Sequence, residues 1–273
     1  MTINIGGPLL LVGAGKMGCA MASGWLDQGL SPDALFIQDP GPCEDAQKLV
    51  SQYNISCSDN PTLPEKPLII VLAIKPQMMA QALPALVEKA GEHTLFLSIA
   101  AGQSLATLAG HLGEQQPIVR AMPNTPASIG QGMSVACANP HVTPDQIEHC
   151  ITLLSAIGEI AWIEDETQMD AVTAVSGSGP AYLFALTECL ALAGIHEGLN
   201  PKLAWQLAKT TMQGASALMA HSSDNPVILR KNVTSPGGTT EAALKVLMGK
   251  KGLPKLMDRA IKAGAARSKE LSG

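Results

Sequence analysis

Pro8-Leu9-Leu10-Leu11-Val12 is an apolar run that stops at Gly13-Ala14-Gly15-Lys16-Met17-Gly18, and a helix-compatible stretch follows to about Gln28, where Gly29 ends it. A buried strand, a GxGxxG turn and a helix in direct succession are the context that a dinucleotide-binding turn requires. In that reading Gly13 permits the tight turn, Gly15 lets the backbone approach a pyrophosphate, and Gly18 lets helix and strand pack closely. The N–H groups at the start of the helix have no intrahelical acceptor and would receive the pyrophosphate. The plainer alternative is a strand–turn–helix that binds nothing.

The chain after this turn keeps the same rhythm. Leu35–Ile37, Leu68–Ile74, Leu95–Ile99 and Ile118–Ala121 read as buried strands, with helical patterns at Gln77–Ala90 and Ser104–Leu112. Gly132–Ala138 and Glu159–Ile163 read as later strands around a helix at Asp145–Ile157. Apolar strands alternating with helices predict an α/β fold whose parallel sheet is covered on both faces. Beyond about Asp165 only helices are expected, at roughly 179–197, 201–221, 239–249 and 253–271. We therefore place a dinucleotide-binding domain at 1–165 and an all-α dimerisation and substrate domain at 166–273. Charge divides the chain in a similar way: residues 1–170 hold seventeen of the 23 acidic residues but six of the 18 basic ones. The helix from Pro180 to Ile195 is apolar on nearly every side and needs neighbours all round, which points to a second subunit.

Several function classes fall away on composition. The basic excess from Lys245 to Lys269 is interleaved with Ala, Leu and Met and lacks aromatics for base stacking, so it reads as a solvated helix face and not a nucleic-acid surface. Six cysteines show no CxxC and no Cys–His ligand spacing, so no metal is expected and the thiols read as reduced and mostly structural. No signal peptide is evident and no apolar stretch is expected to span a bilayer, which predicts a soluble cytoplasmic protein without a membrane partner.

The end of the second strand bears on the choice of dinucleotide. Asp39 lies about twenty residues past the glycines, where an acid holds the ribose 2′-hydroxyl of NAD, and no Arg or Lys occurs between Lys16 and Lys48. Asp in an Asp-Pro-Gly turn is also a common turn-former, and both readings stay open. Ala73-Ile74-Lys75-Pro76 and Ser98-Ile99-Ala100-Ala101-Gly102 close later strands and should line the same cleft, with Lys75 either a cofactor contact or a solvated loop residue. Three strings are harder to explain as packing: Val119-Arg120-Ala121-Met122-Pro123-Asn124-Thr125-Pro126, Ser176-Gly177-Ser178-Gly179-Pro180-Ala181 and Ser235-Pro236-Gly237-Gly238-Thr239-Thr240. The last two place small residues and hydroxyls before a helix, which suits N-caps and joints as well as a nest for a small carboxylate.

Taken in order, GAGKMG, AIKP, SIAAG, VRAMPNTP, VSGSGPAY and NVTSPGGTT resemble the pyrroline-5-carboxylate reductase family, over almost the whole chain. The resemblance implies a Rossmann-like N-terminal domain followed by an all-helical C-terminal dimerisation domain, and reduction of 1-pyrroline-5-carboxylate to L-proline with NADPH or NADH. It implies cofactor contacts at Gly13, Ala14, Gly15, Lys16, Met17, Gly18, Asn60, Ala73, Lys75 and Pro76, to which strand-end position adds Asp39 and Ala100. Substrate is assigned to Met122, Asn124, Ser235, Gly237, Gly238, Thr239 and Thr240, with Thr240 near the ring nitrogen as the catalytic group. A homodimer through the C-terminal helices is implied, commonly assembling further into decamers. The chain departs from the NADPH-using pattern after the second strand, where Asp39-Pro40 stands in place of a cluster such as Asn-Arg.

The chemistry asks for hydride delivery to an imine carbon, and a cyclic imine is basic enough to be partly protonated near neutrality. This suits a chain whose six histidines form no acid–base constellation. A β-hydroxyacid dehydrogenase would need a lysine after its glycine-rich substrate segment, and Ser178-Gly179-Pro180-Ala181-Tyr182-Leu183-Phe184 offers none. A non-catalytic NAD(P)-sensing module would leave the Ser235–Thr240 string without a purpose.

Overall fold

The computed structural model describes residues 2–272. The chain enters β1 (Leu9–Val12), turns into α1 (Lys16–Asp27), and continues through β2 (Leu35–Gln38), α2 (Glu44–Tyr53) and β3 (Ser56–Ser58). It then passes β4 (Ile69–Leu72), α3 (Met79–Lys89), β5 (Leu95–Ser98), α4 (Leu105–Leu112), β6 (Ile118–Met122), β7 (Gly132–Ala138), α5 (Pro144–Ser155) and β8 (Gly158–Trp162). The eight strands form one sheet in the order β3-β2-β1-β4-β5-β6-β7-β8. Outward winding from β1 in two directions is the doubly wound plan, which opens a crevice where the order reverses.

Leu9–Val12 and Ile69–Leu72 are buried at every position because helices cover both faces of the sheet. On one face Trp25 of α1 is fully buried and donates its indole N–H to the Leu153 carbonyl of α5 at 2.8 Å. On the other, Leu83 and Leu86 of α3 and Leu108 of α4 close over Leu10, Ile70 and Phe96. Helix starts follow local chemistry: Ser104 caps α4, and Thr143 with Gln146 forms a reciprocal capping box on α5.

The sheet is not parallel throughout, as the strand pattern alone predicts. β7 runs antiparallel to β6, with Arg120 opposite Cys137, whereas the other neighbours are parallel. The link from Pro123 to Gln131 is a single 3-10 turn, too short for the crossover helix that a parallel return needs. Two further elements were not expected: α2, whose Ala46, Leu49, Val50 and Tyr53 recur at helical spacing and face the core, and the Ser-Cys-Ser of β3, a strand because it pairs with β2.

From Glu166 the chain is helical. A 3-10 turn leads into α6 (Met169–Val172), one π-helical segment (Thr173–Gly177), α7 (Gly179–His196), α8 (Pro201–His221), α9 (Pro226–Asn232), α10 (Thr239–Leu247) and α11 (Leu253–Ser272). The chain forms two compact units, residues up to Gly177 together with those from Gly264 onward, and Ser178–Ala263. The end of α11 thus belongs to the first unit, where Ser268 is buried and donates to Asp170 Oδ1 at 2.7 Å.

One expectation is overturned here. The continuous helical stretch Glu166–His196 is 31 residues long with a mean hydropathy of 1.3 in its apolar window, long and apolar enough to cross a membrane by length and composition. Only 6% of that window is buried. Polar residues such as Thr187 and Glu188 interrupt the apolar string, so no unbroken apolar run marks this stretch in the sequence. Leu183, Phe184, Leu186 and Leu190 of α7 and Leu203, Trp205 and Leu207 of α8 all stand exposed.

Candidate active site

Four sizeable clefts open on the first unit; one, of about 550 Å³, runs along α4 and the end of β7, and sheet topology separates the other three. Two, of about 530 and 740 Å³, lie at the edge where the parallel strands begin, one against Ile3–Pro8 and the other against His93, His141 and His149. A smaller one, of about 330 Å³, lies at the carboxyl ends of β4, β5 and β6. Open α/β sheets bind ligands at the carboxyl edge, so the smallest of the four is the functional candidate. Its walls are the strand-end strings singled out above: Ala73, Lys75 and Pro76 after β4, Ala100 after β5, Met122 and Asn124 after β6, and Met17 at the start of α1. None of the six histidines lines it.

The glycine turn has the form a dinucleotide needs. Gly13 has φ +96°, and a Cβ there would sit 2.7 Å from the Ala73 carbonyl oxygen. A Cβ on Gly18 would overlap the Gly13 carbonyl, while at Gly15 it would meet nothing, so the turn is open where a pyrophosphate would approach. α1 starts at Gly15 without a side-chain cap and with no acid in its first turn, leaving its N–H groups to a ligand. Gly15 and Lys16 are exposed.

Asp39 is brought against this turn from 25 residues away. Its Oδ2 accepts from Ala14 N at 2.7 Å and its Oδ1 from Gly41 N at 2.8 Å. It is therefore a turn-former and a carboxylate beside the glycine loop at once. Asn60 is exposed two residues beyond β3. A cation the sequence gave no reason to place here is Lys89, at the far end of α3, whose ammonium donates to Gln38 Oε1 at 3.0 Å on the last residue of β2. Burial lowers its pKa.

The wall after β6 is held by Asn124. Its Nδ2 faces the Ser176 carbonyl and hydroxyl at 3.2 and 3.3 Å, and its Oδ1 accepts from Met133 N at 2.9 Å. Asn124 thus ties the strand end to β7 and to the π-helical turn, whose Gly177 also lines the cleft. A Cβ at Gly177 would lie 2.6 Å from Met122 Cε, so the turn packs directly on the cleft wall. π-turns inside helices are uncommon and frequent at functional sites. Behind this wall, Arg120 of β6 is buried and its Nη1 donates to Glu166 Oε1 at 2.7 Å, an oxygen that also receives Leu105 N at the start of α4. Neither the Asn124 tie nor the Glu166 partner was legible beforehand, because both span long sequence separations.

In the second unit, Ser235–Gly238 forms the turn before α10. Gly238 N donates to Ser235 O at 3.0 Å, and Gly237 N donates to Glu241 Oε2 at 2.8 Å. One N–H of this turn thus already holds a carboxylate, supplied by the chain itself. The first-turn N–H groups at Thr239 and Thr240 have no intrahelical acceptor.

Comparison with known proteins agrees with this arrangement. Residues 166–271 match the family described as pyrroline-5-carboxylate reductase dimerisation, and residues 9–102 match the one described as NADP oxidoreductase coenzyme F420-dependent. A pyrroline-5-carboxylate reductase of Pseudomonas aeruginosa is 40% identical over 265 residues, covering 97% of this chain and 96% of that protein. One from Haemophilus influenzae is 36% identical, covering 96% and 97%. The solved pyrroline-5-carboxylate reductase of Coxiella burnetii superposes with a TM-score of 0.90 at 31% identity, covering 98% of this chain and 99% of that one. The Plasmodium falciparum pyrroline carboxylate reductase, solved with NADP bound, gives 0.82 at 28% identity with the same coverage. Likeness at this level runs from the glycine turn through the last helix, and by it the chain belongs to the pyrroline-5-carboxylate reductase family.

Proposed function

We propose that this protein reduces 1-pyrroline-5-carboxylate to L-proline with a nicotinamide dinucleotide, working as a cytoplasmic homodimer whose C-terminal helices can support further assembly into decamers. The carboxyl-edge cleft carries the reading, since it gathers the expected strand ends and neither a histidine nor a carboxylate. In this division of labour residues 1–165 hold the dinucleotide, and residues 166–273 provide the dimer surface and the substrate loop.

Gly13, Ala14, Gly15, Lys16, Met17 and Gly18 would hold the pyrophosphate on the open start of α1, with Asp39 and Asn60 toward the adenosine ribose and Ala73, Lys75, Pro76 and Ala100 along the strand ends. When bound, the reduced nicotinamide supplies the hydride. The chain orients the reactants and excludes water. The substrate carboxylate is assigned to Ser235, Gly237, Gly238 and Thr239, with Glu241 moving off Gly237 N as it arrives. Thr240 hydrogen-bonds the ring nitrogen and steadies it as the imine becomes an amine. Met122 packs the apolar wall, and Asn124 serves the substrate by fixing that wall.

Asp39 favours NADH: a carboxylate beside Ala14 accepts from a ribose hydroxyl and repels a 2′-phosphate. Steady-state turnover of pyrroline-5-carboxylate with NADH and with NADPH, repeated on Asp39→Ser, tests both levels. Turnover with a drop in NADH preference in the variant is expected. No turnover with either cofactor would overturn the function, and an unchanged preference would remove Asp39 from cofactor selection.

A further inference from the structure

Two thiols meet beside the glycine turn. Cys19 lies in the first turns of α1 and is buried, whereas Cys43, the residue before α2, is exposed. Their sulfurs are 3.9 Å apart, and both sit within hydrogen-bonding reach of the Ala14 carbonyl, at 3.1 Å for Cys19 and 3.3 Å for Cys43. Cys43 also closes the loop that begins at Asp39, whose carboxylate holds Ala14 N and Gly41 N. One peptide unit of the turn is thus gripped by Asp39 through its neighbouring N–H and by two sulfurs through its carbonyl.

We propose that Cys19 and Cys43 form a reversible disulfide, made by hydrogen peroxide or another small peroxide, that weakens dinucleotide binding. The exposed Cys43 reacts first. Its sulfur bonds to one peroxide oxygen as the O–O bond breaks, and the departing hydroxide takes the thiol proton and leaves as water, so Cys43 becomes a sulfenic acid. Cys19 then attacks Cys43 Sγ. The S–S bond forms, the S–O bond breaks, and the leaving hydroxide takes the Cys19 proton as a second water. Two thiols have lost two electrons and two protons, and one peroxide has become two waters. A small thiol reverses the bond by exchange. Burial, and after it the neighbouring Cys43 thiol, pushes the Cys19 pKa up to about 12, which fits Cys19 as the resolving partner and not the first target.

The effect on binding follows from distance. A disulfide brings sulfurs to about 2.0 Å, so the pair at 3.9 Å must close by about half. Cys19 is fixed within a helix against the core, so the Asp39–Cys43 loop moves instead. The bond also removes both S–H donors from the Ala14 carbonyl. Both changes fall at the ribose end of the groove, while the strand-end cleft contains neither sulfur. The predicted signature is a raised dinucleotide KM with kcat kept. That consequence rests on the glycine turn being the cofactor site; the disulfide itself does not.

The test oxidises the purified, fully reduced enzyme with hydrogen peroxide, blocks the remaining thiols and maps unreduced peptides by mass spectrometry. A Cys19–Cys43 linked peptide is expected, with two of the six thiols lost and both recovered with dithiothreitol. The dinucleotide KM should rise about tenfold, the size of one lost hydrogen bond to a charged group, with kcat within about twofold. Cys43→Ser, whose hydroxyl still donates to Ala14, should lose the linked peptide and the KM response, and Cys57→Ser should keep both. Absence of the link, or a link from another cysteine, overturns the proposal. A link that leaves KM unchanged overturns the control of binding. Failure of the reduced enzyme to bind NADH or NADPH in a fluorescence titration would instead bring down the cofactor reading, and with it only the KM arm.

Discussion

Replacing Glu166 with Leu removes the only carboxylate among the described residues that meets Arg120 at hydrogen-bond distance, and the cost can be worked from the surroundings of the pair. The Arg120 side chain is 5% exposed and that of Glu166 27%, at 2.7 Å. Breaking a buried pair by deleting one partner costs about 3–5 kcal/mol, because the remaining charge is left without compensation. Water reaches about a quarter of the Glu166 side chain, which argues for the lower end, about 3 kcal/mol. Leu105 N loses an acceptor as well. The double variant Arg120→Met/Glu166→Leu removes both charges and keeps apolar volume on β6, so it should be more stable than Glu166→Leu alone, by about 2 kcal/mol. Urea unfolding at one fixed protein concentration reads the difference, since dimer stability depends on concentration. The single variant should also lower kcat/KM, because β6 carries Arg120 and leads into Met122 and the Asn124 tie. Additive costs, or a single-variant loss below about 1 kcal/mol, would refute the claim that the pair is desolvated and coupled.

Gly18→Ala places a methyl on the Gly13 carbonyl and should abolish detectable dinucleotide binding by fluorescence titration while lowering Tm. Asn124→Ala leaves Met133 N and the Ser176 carbonyl without their partner, and should cost about 1–3 kcal/mol in denaturant unfolding and raise the substrate KM. Thr240→Val should lower kcat/KM by about 1–3 kcal/mol, and unchanged kinetics would remove Thr240 from the mechanism. Leu186→Glu on the exposed face of α7 should shift the protein toward monomer in light scattering at low micromolar concentration, and an unchanged mass would assign that face elsewhere.

The sheet's central strands were legible because each is a short apolar run buried on both faces, as Leu9–Val12 and Ile69–Leu72 show. What escaped has a weaker local signature or none. β3 is Ser-Cys-Ser and exists by pairing, the antiparallel turn of β7 depends on the length of a link, and α2 is mostly polar, its stripe of Ala46, Leu49, Val50 and Tyr53 being short. The site divides in the same way. Glycines and strand ends announce themselves by spacing, and the structure gathers Met17, Ala73, Lys75, Pro76, Ala100, Met122 and Asn124 around one cleft. Partnerships across the chain, such as Asn124 with Ser176, Arg120 with Glu166 and Glu241 with Gly237, are set by tertiary geometry and have no motif. Asp39 illustrates both: its position and its turn-forming bond to Gly41 were readable, but its grip on Ala14 N was not.

The last turns of α11 belong to the first unit, and this bears on how the protein is made. Gly102, after β5, has φ +69°, and a Cβ there would lie 2.9 Å from the Leu271 carbonyl, while Ser268 covers Asp170. During synthesis most of the nucleotide-binding unit precedes Ser178–Ala263, yet the piece that seals Gly102 and Asp170 is made only after that stretch. Its surface there stays bare while the whole of Ser178–Ala263 is being translated. A gene fragment ending at Gly177 therefore expresses an unfinished unit, and a stop codon placed at Gly264 truncates the first unit and not the second.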